Sequence, residues 1–161
     1  MNISFKYLYE NIEKYTIHHI TDKVNTENIG TLSASRGNLS AEENAKRMKD
    51  LHSDLRTMGY RPIPTKGVFV ENYGKPDARK VEEDSYFIHG KHDILPHLKK
   101  LGAKYDQESV LHKGLKDEVA SLHGTHKDGY PGLDKVAKLG HYKPNVALEN
   151  HSTVGGTPFS F

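Results

Sequence analysis

The chain has 161 residues, 35% of them hydrophobic, with a mean hydropathy of −0.73, which suits one compact domain with a modest core and long loops. Its 23 basic and 21 acidic residues leave a net charge of +2 without a like-charge run, which argues against a dedicated nucleic-acid binder. The absence of cysteine excludes disulfides and thiolate metal sites, and no stretch approaches the roughly 18 apolar residues of a membrane span.

Residues 3–15 place Phe5, Leu8, Tyr9 and Ile12 on one side of a short amphipathic helix. Glu10 and Glu13 in those turns argue against a signal peptide. Residues 15–24 are rich in β-branched and aromatic side chains and predict a strand, which a turn at 25–28 joins to a second strand over 29–35. Ser40 as N-cap with Glu43 three residues on makes a capping box. Ala45, Met48, Leu51, Leu55 and Met58 then line one face of a helix over 41–58, and Gly59 stops it.

Residues 60–73 are extended, 85–89 form a short strand, and Asp93 caps a second helix that Gly102 ends. A last strand follows at 109–112. The order strand, helix, strand, strand, helix, strand predicts an α+β, ferredoxin-like (split β-α-β) antiparallel sheet. Residues 1–112 read as this domain, with 29–112 as its core. Residues 113–161 read as an extended Gly- and His-rich C-terminal arm whose only helical candidate is 133–139.

Four constellations could carry chemistry. Arg36 precedes a helix N-terminus, where free N–H groups welcome an anion, and Asn44 and Arg47 share one helical face. With the hydroxyls of Ser33 and Ser35 they could converge on a phosphate; alternatively Arg36 or Arg47 pairs with Glu83 and ties helix to sheet. The triplet His-x-Thr occurs at His19 and Thr21, at His123 and Thr125, and at His151 and Thr153. Two such triplets on strands are the pattern of two-histidine phosphoesterases, in which imidazoles exchange protons and hydroxyls hold phosphate. His89, His92 and His97, or His123 and His126, form the best metal candidates, but polar-loop histidines are usually plain surface, and neither metal nor cofactor is expected. Phe159 and Phe161 at the chain's end could anchor a partner, or could cover the domain's own core.

The ordered set Ser33-Ala34-Ser35-Arg36, Asn44, Arg47, Gly59-Tyr60, Glu82-Glu83-Asp84-Ser85 and Gln107-Glu108-Ser109-Val110 resembles a family of small bacterial and phage domains without an assigned activity. That family reads Ser-Ala-x-Arg, then Glu-Glu-Ser-Phe, then Gln-Asp-Ser-Val. The chain departs from it at the inserted Asp84 and at Glu108. The match spans about 29–112, and Leu122 to Thr125 and Pro158-Phe159 extend it. The resemblance implies a phage-like origin.

Two readings follow. In the first, the chain is a non-enzymatic phage protein, virion-associated or an infection accessory factor, that binds other phage or host proteins or copies of itself. It would act in the virion or the host cytoplasm, with no membrane or nucleic-acid partner. In the second, it is an enzyme or sensor for a nucleotide or phosphate ligand, with Arg36 and Arg47 on the anion and His123 and Thr125, joined by His19 and Thr21, moving protons.

Overall fold

The computed structural model describes residues 15–161. The helix expected over 3–15 therefore lies, apart from Tyr15, outside the described residues. Chain order gives α1 (Ile17–Thr26), β1 (Asn28–Leu32), α2 (Ala41–Thr57), β2 (Ile63–Glu71), β3 (Arg79–Gly90), α3 (Leu95–Lys104) and β4 (Ser109–Lys113). Five short strands complete it: β5 (Ser121–Gly124), β6 (Val136–Lys138), β7 (Lys143–Pro144), β8 (His151–Val154) and β9 (Thr157–Ser160). No described helix is long and apolar enough to cross a membrane.

The ferredoxin-like expectation is corrected. All nine strands join one antiparallel sheet in the order β6-β5-β4-β1-β3-β2-β8-β9-β7, curled into a half-barrel. Chain connectivity requires the curl. The edge strands β6 and β7 are joined by residues 139–142, a span of at most about 18 Å from Lys138 to Lys143. A flat nine-stranded sheet would hold those edges about 38 Å apart. The supposed C-terminal arm is thus five strands of the sheet, and 133–139 holds β6, paired Leu122↔Ala137 with β5, in place of a helix.

Residues 15–24 do not form the expected strand. Ile17, Ile20 and Val24 fall at helical spacing, Ile20 and Val24 are buried, and the His19 ring accepts the Thr16 N–H at 3.0 Å to cap α1. The β-branched content pointed to a strand, and burial of one helical stripe outweighs it.

The capped helix α2 forms as its sequence dictates. Ser40 Oγ accepts the Glu43 N–H at 3.1 Å, and Met48, Leu51 and Leu55 are buried. Gly59 takes φ +94°, which returns the Tyr60 N–H to the Leu55 carbonyl at 3.0 Å. Gly102 does not end α3, which continues to Lys104. A Cβ there would sit 2.8 Å from Val110 Cγ1, so this glycine lets α3 lie close on β4.

Strand alternation separates two faces. On the outer face Leu32, Tyr86, Ile88 and Val110 pack under α2 and α3. On the inner face Ile29, Ile63 and Phe87 pack with Ile20 and Val24 of α1 and with Val154 and Phe159 of β8 and β9. Beyond this inner core the same face opens into a cavity lined by both apolar and polar side chains.

Candidate active site

The open end of the inner face and the C-terminal strands enclose a cavity of about 430 Å³, within the size range of small-molecule sites. Its wall takes the continuous run Gly67 to Glu71 from β2, alternate residues Glu83 and Ser85 from β3, and alternate residues Ser109 and Leu111 from β4. The registers Leu32↔Tyr86 and Thr31↔Leu111 bring Ser35-Arg36, Glu83 and Glu108 to one rim.

The polar residues that mark the sequence hold this rim in place. Asn44 clamps the Arg36 backbone from both sides: its Oδ1 accepts the Arg36 N–H and its Nδ2 donates to the Arg36 carbonyl, each at 2.9 Å. Arg47 Nε donates to the Ala34 carbonyl at 2.7 Å, its Nη2 donates to the Tyr105 carbonyl, and its guanidinium lies over the Tyr105 ring. Gln107, buried, donates to the Ser35 carbonyl at 3.0 Å. With the backbone of 34–36 fixed on its outer side, Ser33, Ser35 and Arg36 line the cavity. Asn44 and Arg47 do not, so the expected convergence of both arginines on one anion is corrected. Arg36 Nη1 donates to the Asp106 carbonyl.

The cavity is rich in acid. Glu71, Glu83, Glu108 and Glu149 line it, and Arg36 is the one guanidinium among the described residues that do. Arg79 holds Glu71 through Nη2 at 2.9 Å. Burial pushes the Glu83 carboxyl up to about 8, and the negative charges of Glu71 and Asp84 add to this. A Ser33 hydrogen bond and the Arg36 charge pull it back only in part. Glu83 is therefore largely a neutral acid at neutral pH. Ser33 Oγ also donates to the Asp84 carbonyl at 2.6 Å, and the Ser85 and Thr65 hydroxyls bond each other at 2.8 Å.

The structure does not bring two His-x-Thr triplets together: His151 on β8 lines the cavity, with its Nδ1 2.7 Å from the Leu148 carbonyl, and the other two triplets lie elsewhere. His19 lies on α1, where its ring caps the helix, and Thr21 Oγ1 meets the Tyr142 hydroxyl at 2.8 Å. His123 lies on β5 and stacks edge-on against His112 at 5.7 Å, outside the cavity wall. Burial lowers the pKa of both rings. Thr125 is buried and donates to the Gln107 carbonyl at 2.5 Å. His92 Nε2 and His97 Nδ1 share the Tyr60 hydroxyl at 3.0 and 2.7 Å, and His89 bonds Glu27. Phe159 is buried against Phe87, rings 6.3 Å apart, and Phe161 is half-buried beside Tyr142, so both cover the chain's own core. The cavity wall also holds residues to which the sequence reading gave no role: Glu71, Glu108, Tyr73, Tyr130 and Phe69.

A family model described as the S-Adenosylmethionine lyase family matches residues 30–156, most of the chain. No curated protein matches. The matched span contains the whole acidic rim. A lyase family is a family of enzymes, so the expected non-enzymatic binding or virion role is corrected, together with its phosphoesterase alternative.

Proposed function

The chain belongs to the S-adenosylmethionine lyase family, and from that premise we propose that it cleaves a carbon–sulfur bond of S-adenosylmethionine in the cavity lined by Arg36, Glu71, Glu83 and Glu108. The observation that carries this reading is the acid-walled cavity with one guanidinium on its rim. The substrate is complementary to it: a sulfonium and an ammonium face carboxyl groups, and the α-carboxylate faces Arg36.

The chemistry needs no nucleophile from the protein. The substrate's carboxylate reaches its own γ-carbon through a five-membered ring. An oxygen lone pair forms the O–Cγ bond while the Cγ–S pair leaves with sulfur. The products are homoserine lactone and neutral 5′-methylthioadenosine, and no proton has to move. Two of the serine hydroxyls in the wall, Ser33 and Ser85, are engaged with a carbonyl and with Thr65. Two opposite charges vanish in the step, so a site that excludes water favours it over bulk solvent. Arg36 orients the carboxylate, and the acidic wall draws in the cation. Because the sulfonium charge disappears as the bond breaks, an ionised Glu83 assists binding more than bond breaking.

The test is incubation of the full chain with S-adenosylmethionine and product analysis by mass spectrometry. The expected products are 5′-methylthioadenosine and homoserine lactone. Intact substrate, or S-adenosylhomocysteine from methyl loss, would overturn the reading. Arg36→Ala is expected to lower kcat/KM at least tenfold, through loss of a charge-assisted carboxylate contact.

A further inference from the structure

Two aromatic side chains at the mouth of the cavity have no packing role that accounts for them. Tyr73, in the turn between β2 and β3, is 51% exposed, and Tyr130, in the loop between β5 and β6, is 40% exposed, yet both line the cavity. Their rings lie 5.0 Å apart and tilted by 55°, and both stay open to solvent over much of their surface. The two loops are tied together, since Lys75 Nζ donates to the Asp128 carbonyl at 2.8 Å. The Tyr130 loop is also seated on the stem of Glu108: a Cβ on Gly129 would come within 2.7 Å of Glu108 Cβ. An open aromatic pair therefore stands beside a cavity-lining carboxylate that carries only acceptors.

We propose that Tyr73, Tyr130 and Glu108 form a purine-nucleoside subsite at the cavity mouth, with the tyrosines against the base and the Glu108 carboxylate accepting the ribose hydroxyls. Base faces stack on aromatic rings whatever their sequence of substituents, and a carboxylate with two free oxygens matches a vicinal diol. The inference deepens the lyase reading, because it assigns the nucleoside half of the substrate to the loops and leaves the amino-acid half to the strand ends at Arg36 and Glu83. It also predicts that the chain binds nucleosides that carry no sulfonium.

Calorimetric titration of the full chain with 5′-methylthioadenosine tests it without any turnover. The wild-type chain is expected to bind, and Tyr73→Ala combined with Tyr130→Ala to weaken binding at least tenfold. The double Phe variant keeps both rings and is expected to retain it. Glu108→Gln is expected to erase a preference for adenosine over 2′,3′-dideoxyadenosine. Both tyrosines are exposed, and a melting curve for each variant separates lost binding from lost folding. Failure of the wild-type chain to bind 5′-methylthioadenosine, or equal binding by the folded double Ala variant, overturns the subsite. The two proposals fail separately. If S-adenosylmethionine survives incubation while 5′-methylthioadenosine binds through the tyrosines, the lyase reading falls and the subsite stands. If the double Ala variant cleaves S-adenosylmethionine with wild-type KM, the subsite falls and the lyase reading stands.

Discussion

Glu83 is an acid held protonated by its surroundings, with its pKa raised from 4.5 to about 8 by burial and by Glu71 and Asp84. Between those two values the folded chain binds a proton that the unfolded chain has released. Stability contributed by this group therefore falls as pH rises through the window and levels off above 8. Glu83→Gln, which is neutral throughout, is expected to gain stability over wild type steadily as pH rises and to keep that gain above pH 8. Thermal melts of both proteins across the window check this, and a difference independent of pH would refute the assignment. A bound cation favours the ionised carboxyl, so binding below pH 8 releases a proton. The KM for S-adenosylmethionine is accordingly expected to fall as pH rises toward 8, by up to about tenfold per pH unit, and Glu83→Gln to remove that dependence. The sequence displays this residue in a Glu-Glu-Asp-Ser run, but its titration is set by neighbours on β2 and at the end of β1 that no local pattern announces.

The element whose placement matters most is the end of β1, held by α2 and by the loop after α3. Asn44 and Arg47 sit three residues apart on the capped helix, which is legible from Ser40, Glu43 and the buried stripe Met48, Leu51 and Leu55. Their purpose is not legible, because their partners are backbone carbonyls and an amide of residues 34, 36 and 105 that only the fold brings near. Arg47→Ala removes two carbonyl contacts and the stacking on Tyr105, and is expected to cost about 2–3 kcal/mol in urea unfolding. Arg47→Lys cannot supply two donors in one plane and is expected to recover only part of that. Either variant should also lower activity by loosening Arg36, although Arg47 itself does not line the cavity. The opposite error arose in α1, where β-branched residues suggest a strand and the core selects a helix for Ile20 and Val24.

At the scale of the whole molecule, the C-terminal third decides the architecture and is the part the sequence hides best. Strands β5 to β9 are two to four residues long, too short to show alternation, and their pairings reach far along the chain, as in Gly67↔Ser152. Glycine and histidine content makes the same residues look like a solvated arm. Yet they close the curl, and Phe159 fills the inner core against Phe87 and Tyr142. If the segment were an arm reaching for a partner, Phe159 would be dispensable to the isolated chain. Since it is 1% exposed, Phe159→Ala is expected to cost about 3–5 kcal/mol, whereas Phe161→Ala, at a half-buried position, should cost less. The loss would be felt at the cavity as well, because Phe159 and Ser160 belong to its wall and Ser160 Oγ is hydrogen-bonded to the Val146 carbonyl and the Leu148 N–H. Chemical denaturation of the two variants, followed by activity under conditions where each stays folded, distinguishes a structural strand from an independent tail. An unfolding transition unmoved by Phe159→Ala would return the segment to the status of an arm.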